Sequence, residues 1–191
     1  MVRCYFGVMR IVLPLILLGL LSACNLDKNT QIDETKAKFT TSDASELFFK
    51  NVRQIRYDQQ EMSEAKLNVF RLGDRNLAED KPVLNLAIVI NWRYDEAYLL
   101  LEPNAYLQEM DSLRVTWRDT VSQQEETYVW AGGNKESQFT FASQLYRSIQ
   151  RGHRLFIRNS EGKEEELLGQ YDDREAFRIT MFDYYRLVDL L

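Results

Sequence analysis

Alternation of apolar and polar residues marks several short strands along this chain. The clearest run covers residues 83–92 and is apolar on both faces, which predicts a central strand with both faces covered. Simpler alternation predicts further strands at 65–72, 97–102, 113–118, 127–130 and 153–158. Clusters of glycine, asparagine and charged residues separate these runs and predict the turns between them.

Helical spacing occurs at fewer places. The sequence Asp43-Ala44-Ser45-Glu46 has the spacing of a capping box, which predicts a short helix to about Lys50. Apolar residues at i, i+3, i+4 and i+7 predict an amphipathic helix near 141–151, preceded by a short strand at 139–141 and ended by Gly152. We expect a final strand at 177–181 and a short C-terminal helix. The predicted fold class is α+β and mostly β: an antiparallel sheet or sandwich with helices packed against it.

The first two dozen residues follow a different pattern. Arg3 and Arg10 precede an apolar run at 11–21, and small residues follow. A basic segment, a short apolar segment and small residues at a cleavage site are typical of a secretory leader. The apolar run is shorter than the roughly 20 residues needed to span a bilayer, which argues against a permanent membrane helix.

The leader ends in Leu21-Ser22-Ala23-Cys24, which resembles the lipobox of bacterial lipoproteins. The resemblance implies cleavage before Cys24, a lipid on its thiol and a fatty acid such as palmitate on its amino group. More than one acyl chain gives stable membrane anchoring. An aspartate directly after the cysteine would imply retention in the inner membrane, and Asn25 at that position favours the outer membrane. We expect the domain on the periplasmic face rather than the cell surface. Overall the chain looks like a lipoprotein of a Gram-negative envelope, and no other motif resembles a named family.

The resemblance divides the chain into three parts. We expect a signal peptide at 1–23, a lipidated N-terminus with a flexible tether at 24–41, and a single globular domain at 42–191. The tether is predicted because its residues are polar and lack periodicity. A random coil of this length would hold the domain on the order of 20 Å from the membrane.

Charge and cysteine content restrict the function. The chain has 24 basic and 29 acidic residues, and loss of Arg3 and Arg10 with the leader leaves 22 against 29, a net charge of −7. Nucleic acid is therefore excluded as an expected partner, because phosphate binding needs a basic surface. Cys4 would leave with the leader and Cys24 would carry lipid, so neither a disulfide nor a thiol nucleophile is expected.

Candidate catalytic chemistry is sparse. His153 is the only histidine, and no HExxH, GxSxG, CxxC or glycine-rich phosphate motif is present. The neighbouring acids Asp95–Glu96 and Asp172–Asp173 lie in predicted turns, where charged side chains are normally solvated, and residues 164–166 lack the spacing of a calcium loop. We expect no catalytic residues, no metal and no cofactor, and hence a protein that is not an enzyme.

A candidate binding surface lies at the end of the strongest predicted strand. Trp92, Arg93, Tyr94 and Asp95 combine aromatic and charged side chains suited to stacking on a sugar or holding a peptide. The alternative is that Trp92 belongs to the core and the others form an ordinary turn. The sequence favours a non-enzymatic binding or scaffolding domain with an envelope protein or glycan as partner. A hydrolase of envelope glycan or peptide and a carrier of a small apolar ligand remain as alternatives.

Overall fold

The predicted central strand is present and organises a four-stranded antiparallel sheet. The computed structural model of the protein describes Ile32 and residues 38–108, 110–159 and 161–191, so the predicted leader and Cys24 lie outside it. The elements, in chain order, are α1 (Asp43–Phe48), β1 (Tyr57–Met62), β2 (Leu67–Leu72), β3 (Leu84–Asn91), β4 (Glu96–Pro103), α2 (Ala105–Gln108), β5 (Leu113–Arg118), β6 (Glu125–Trp130), α3 (Lys135–Gln150), β7 (Arg154–Arg158), β8 (Glu164–Leu167) and α4 (Tyr171–Leu187). A π-helical turn, Phe49–Arg53, and a 3₁₀ turn, Gln54–Arg56, connect α1 to β1.

The first sheet is a meander in the order β1-β2-β3-β4. On one face Leu86, Ile88 and Ile90 of β3 enter the main core. On the other face Ala87 and Val89 are buried in a small cluster whose members all come from β2, β3 and β4. Both faces of β3 are therefore buried, as its two-sided apolar pattern predicts.

The second sheet has the order β6-β5-β7-β8, and all its neighbours are antiparallel. β5 and β6 form the predicted hairpin, and α3 connects β6 to β7. Arg118 of β5 forms ion pairs with Glu125 of β6 and Glu164 of β8 on the outward face of this sheet. β8 was not predicted, because three of its four residues are glutamates.

Two long helices cover the core, and both exceed their predicted lengths. Asn134 is the N-cap of α3 and accepts a hydrogen bond from the Ser137 amide. The strand predicted at 139–141 is therefore wrong, since these residues lie inside α3. The strand predicted at 177–181 is also wrong: Phe177 and Met181 are four residues apart on the buried face of α4.

The ends of α1 and α3 test the predicted helix caps. Ser42, not Asp43, is the N-cap of α1, and its side chain and Ser45 form the reciprocal bonds of a capping box. Gly152 follows α3 with φ of 76°, which confirms it as the residue that ends this helix. The predicted class, α+β and mostly β, is confirmed by the two antiparallel sheets and their helices. None of the helices described is long and apolar enough to cross a membrane.

Candidate binding surface at the hairpin tips

The four residues of the predicted binding surface form the turn between β3 and β4. Asn91 and Glu96 are paired at the base of this turn. The Tyr94 amide donates to the Asn91 carbonyl at 3.2 Å, and the Arg93 amide donates to Asn91 Oδ1 at 3.2 Å. Asp95 has φ of 50°, a left-handed conformation that aspartate tolerates better than most residues. The turn is thus held by its own hydrogen bonds.

The aromatic side chains of this turn face solvent. Trp92 is 43% exposed and Tyr94 is 62% exposed. β3 ends at Asn91, so Trp92 lies beyond the strand and is not one of its core residues. The structure therefore places Trp92 at the surface, in contrast to the alternative of a core tryptophan.

A second turn lies beside the first. β1 and β2 are joined by residues 63–66, and Leu67 pairs with Asn91, so the two hairpin tips are neighbours at one end of the first sheet. Lys66 Nζ lies 4.8 Å from the centre of the Trp92 ring. Met62, at the end of β1, is 44% exposed. We define the tip surface as Met62, Lys66, Trp92, Arg93 and Tyr94.

Residues before Ser42 brace this end of the sheet. The Ala97 amide donates to the Phe39 carbonyl at 2.7 Å, and the Thr41 amide donates to the Asp95 carbonyl at 2.8 Å. The Phe39 ring meets Phe139 of α3 edge-on, with centroids 6.1 Å apart. Residues 38–41 thus belong to the fold, which corrects the part of the predicted tether nearest the domain. The tether residues 24–31 and 33–37 lie outside the described ranges.

The tip surface combines flat apolar rings with cations. The Arg93 guanidinium lies 5.4 Å from the Tyr94 ring centre, and Lys66 covers Trp92 in the same manner. Exposed cation–π pairs contribute about 0.5–1 kcal/mol each and orient the rings. Tryptophan, tyrosine and arginine are enriched among the few residues that dominate the binding energy of protein interfaces. This arrangement can stack on a sugar ring or receive apolar side chains of a partner.

Two of the five tip residues were missed by the sequence analysis. Met62 and Lys66 belong to the β1–β2 hairpin, and β1 escaped prediction because only Tyr57 of its six residues is buried. The residues of its turn, Ser63-Glu64-Ala65-Lys66, include no glycine, proline or asparagine. The one sequence signal for β1 was indirect: the alternation of β2 predicts a strand, and a strand needs a partner.

His153 is a packed side chain next to the second sheet. It is 7% exposed, and its ring stacks on Trp117 with centroids 4.3 Å apart and planes 16° apart. Burial lowers its pKa and the nearby Arg151 lowers it further, whereas Asp119 opposes the shift. These neighbours make His153 a neutral packing residue at pH 7.

The free energy of unfolding should fall as the pH is lowered from 7 towards 5. Folded His153 has a pKa below the value of about 6.5 expected in the unfolded chain, so the unfolded chain takes up the proton first. His153→Phe preserves a stacked ring and should flatten this dependence in urea titrations at pH 7 and pH 5.5. Glutamates 164–166 have lowered pKa values and lose their stabilising contribution only at lower pH, so they do not mask the effect. An unchanged slope in the variant would contradict this assignment.

One member of each candidate acid pair has a structural partner. Glu96 forms an ion pair with Lys135 at 3.0 Å, and Asp173 accepts a hydrogen bond from Asn76 at 2.9 Å. Glutamates 164–166 pair with Arg118, Lys163 and Arg154 respectively. A general acid at neutral pH needs a raised pKa, and hydrogen bonds from these partners lower the pKa of all three glutamates. Within the described ranges, no three His, Cys, Asp or Glu residues are grouped to hold a metal ion.

Comparison of the chain with protein-family models, with curated proteins and with solved structures gave no match.

Proposed function

We propose that this chain is a lipid-anchored protein of the bacterial envelope whose domain binds another envelope component without catalysing a reaction. The lipobox-like sequence ending at Cys24 supports the anchor. The observation that carries the binding role is the exposure of Trp92 and Tyr94 on a turn fixed by hydrogen bonds. A preorganised aromatic surface loses little conformational entropy when a partner binds.

The chemistry of the tip surface indicates what kind of contact the partner makes. Met62, Trp92 and Tyr94 are exposed apolar side chains on the two neighbouring tips. The same turns carry charges of both signs, Lys66 and Arg93 together with Glu64 and Asp95. An envelope protein or glycan with an apolar or sugar-ring face complements the exposed rings. Anchoring keeps the domain close to such a partner and raises its effective concentration.

Photo-crosslinking in intact cells tests this proposal. A benzophenone side chain placed at Tyr94 of the full-length protein reacts with C–H bonds of either a protein or a glycan. We expect an adduct of discrete mass, and we expect Trp92→Ala to reduce its yield at least fivefold, because aromatic contacts of this kind contribute about 2 kcal/mol. The adduct is separated on a gel and blotted for this protein before and after digestion with a glycan hydrolase, which lowers the mass of a glycan adduct and leaves that of a protein adduct unchanged.

The same crosslinker at Val121 is the matched control. Val121 is 90% exposed and lies in the loop between β5 and β6, away from the tip residues in sequence. No adduct of the same mass is expected there. Equal adducts at both positions, or none at Tyr94, would reject the tip surface as the site of binding.

A further inference from the structure

The free edge of β6 is a second feature with binding chemistry, and it is independent of both the lipid anchor and the tip surface. Among the strands of the described residues, β6 pairs with β5 alone. The Asp119 amide donates to the Gln124 carbonyl at 2.9 Å, so these two residues are a hydrogen-bonded pair of the β5–β6 ladder. Hydrogen-bonded and non-hydrogen-bonded pairs alternate along an antiparallel ladder. By that alternation Tyr128 exchanges hydrogen bonds with β5, and the amides and carbonyls of Thr127 and Val129 point away from the sheet. No described residue forms a hydrogen bond with those outward groups.

A groove runs along this edge. Its volume is about 490 Å³, and one wall is the strand edge at residues 126–132. The other wall is a single face of α3, formed by Ser137, Thr140, Phe141 and Gln144. These positions follow the i, i+3, i+4, i+7 spacing of one helix face. An edge strand and a helix therefore enclose a slot that is open along its length.

The groove also has an apolar base. Trp130 of β6 stacks on Phe141 of α3 with ring centroids 6.1 Å apart. Trp130 Nε1 is buried and has no hydrogen-bond partner among the described residues. A buried donor without a partner costs free energy.

We infer that this groove binds an extended peptide segment of another protein, which adds to the second sheet as a fifth strand beside β6. The outward groups of Thr127 and Val129 are two residues apart, about 6.6 Å along a strand, which matches the repeat of a peptide in extended conformation. Main-chain hydrogen bonds to such an edge supply affinity, and alternate side chains entering the groove supply specificity.

The charge of the groove indicates which peptides it prefers. Glu126 is the one charged side chain among the described residues that line the groove. It is exposed, and none of the ion pairs recorded for the described residues involves it. By strand alternation it lies on the same side of β6 as Trp130, which contacts α3. A lysine or arginine in the peptide, beside Glu126, complements this charge, so the preferred ligand is an extended segment with one basic residue facing α3.

A displayed library of random decapeptides, selected against the full-length protein in mild detergent, tests the inference. We expect enriched peptides rich in β-branched residues with one lysine or arginine at a common position. Val129→Pro removes an outward amide and obstructs strand addition without removing a bond to β5. It should weaken binding of synthetic selected peptides at least tenfold.

Gln59→Pro is the matched control. The Gly73 amide donates to the Arg56 carbonyl, so these two residues are a hydrogen-bonded pair of the β1–β2 ladder. By the alternation of such pairs, Gln59 directs its backbone groups away from its sheet, as Val129 does. This variant should bind the peptides within twofold of the parent. Thermal unfolding of both proline variants verifies that each is folded at the assay temperature.

Glu126→Lys tests the inference without a proline. This substitution on an exposed side chain should leave the fold intact and shift the selected peptides from basic to acidic residues at the same position. Failure to enrich peptides, equal binding by Val129→Pro, or an unchanged charge preference in Glu126→Lys would overturn the inference. Concentration-dependent dimers that Val129→Pro abolishes, without peptide binding, would also overturn it by assigning the edge to a second copy of this chain.

Discussion

Replacing Asp183 with alanine should lower the free energy of unfolding by about 3–5 kcal/mol, the cost of removing one partner from a buried charged pair. Asp183 lies on α4 and is 2% exposed. Its carboxylate accepts hydrogen bonds from Arg53 Nε at 2.6 Å and from the Tyr57 hydroxyl at 2.7 Å. These bonds connect α4 to the π-helical turn and to the first residue of β1. Burial and the neighbouring Asp183 raise the pKa of Tyr57, which keeps its hydroxyl protonated as a donor.

Two conservative variants separate the contributions at this position. Tyr57→Phe removes one hydrogen bond and retains the ring, so it should cost about 1–2 kcal/mol. Asp183→Asn retains the shape but removes the charge facing Arg53, and its cost should fall between those of the other two variants. Urea denaturation followed by circular dichroism measures all three. A cost below 1 kcal/mol for Asp183→Ala would show that the three side chains do not stabilise one another.

Cys24→Ala should abolish lipid attachment completely, because it removes the thiol that we predict to form the bond to lipid. The reason is the resemblance of Leu21-Ser22-Ala23-Cys24 to a lipobox. In cells fed an alkyne-bearing fatty acid, the parent protein should be labelled and should sediment with membranes. The variant should be unlabelled and should retain its leader, with the corresponding higher apparent mass on a gel.

Cys4→Ala is the matched control, since Cys4 is the only other cysteine of the chain and lies near the start of the predicted leader. It should be processed and labelled as the parent is. Fatty-acid labelling that persists in Cys24→Ala would reject lipidation at this cysteine. It would leave the peptide groove of β6 unaffected, because that inference depends on the folded domain alone.

The sequence predicted strands well where burial is regular. β3 has apolar residues on both faces and β5 alternates strictly, and each was located within a residue or two of its observed bounds. α4 was misread because Phe177, Ile179 and Met181 alternate with polar residues. The same segment also satisfies the four-residue spacing of a helix, and burial of Tyr184 and Tyr185 on the same helix extends its packed face. Over five residues the two periodicities are hard to distinguish.

The sequence identified only part of the candidate binding surface. Trp92 and Tyr94 are conspicuous in the sequence as aromatics beside charged residues at a strand end. Lys66 is 26 positions from Trp92, and no local pattern connects them. Their contact depends on the register between β2 and β3, which is set by packing of the whole sheet.

By itself the sequence determined the acidic charge, the helix-ending glycine and the fold class, whereas the leader with its acylation signal stays a prediction. These properties depend on residue type and short spacing, so no tertiary contact is needed to recognise them. The tertiary structure alone decided that residues 38–41 brace β4, that Asp183 meets Arg53, and that β6 keeps a free edge beside α3. Each of these depends on which distant segments pack together, and that choice is made by the collective burial of apolar surface.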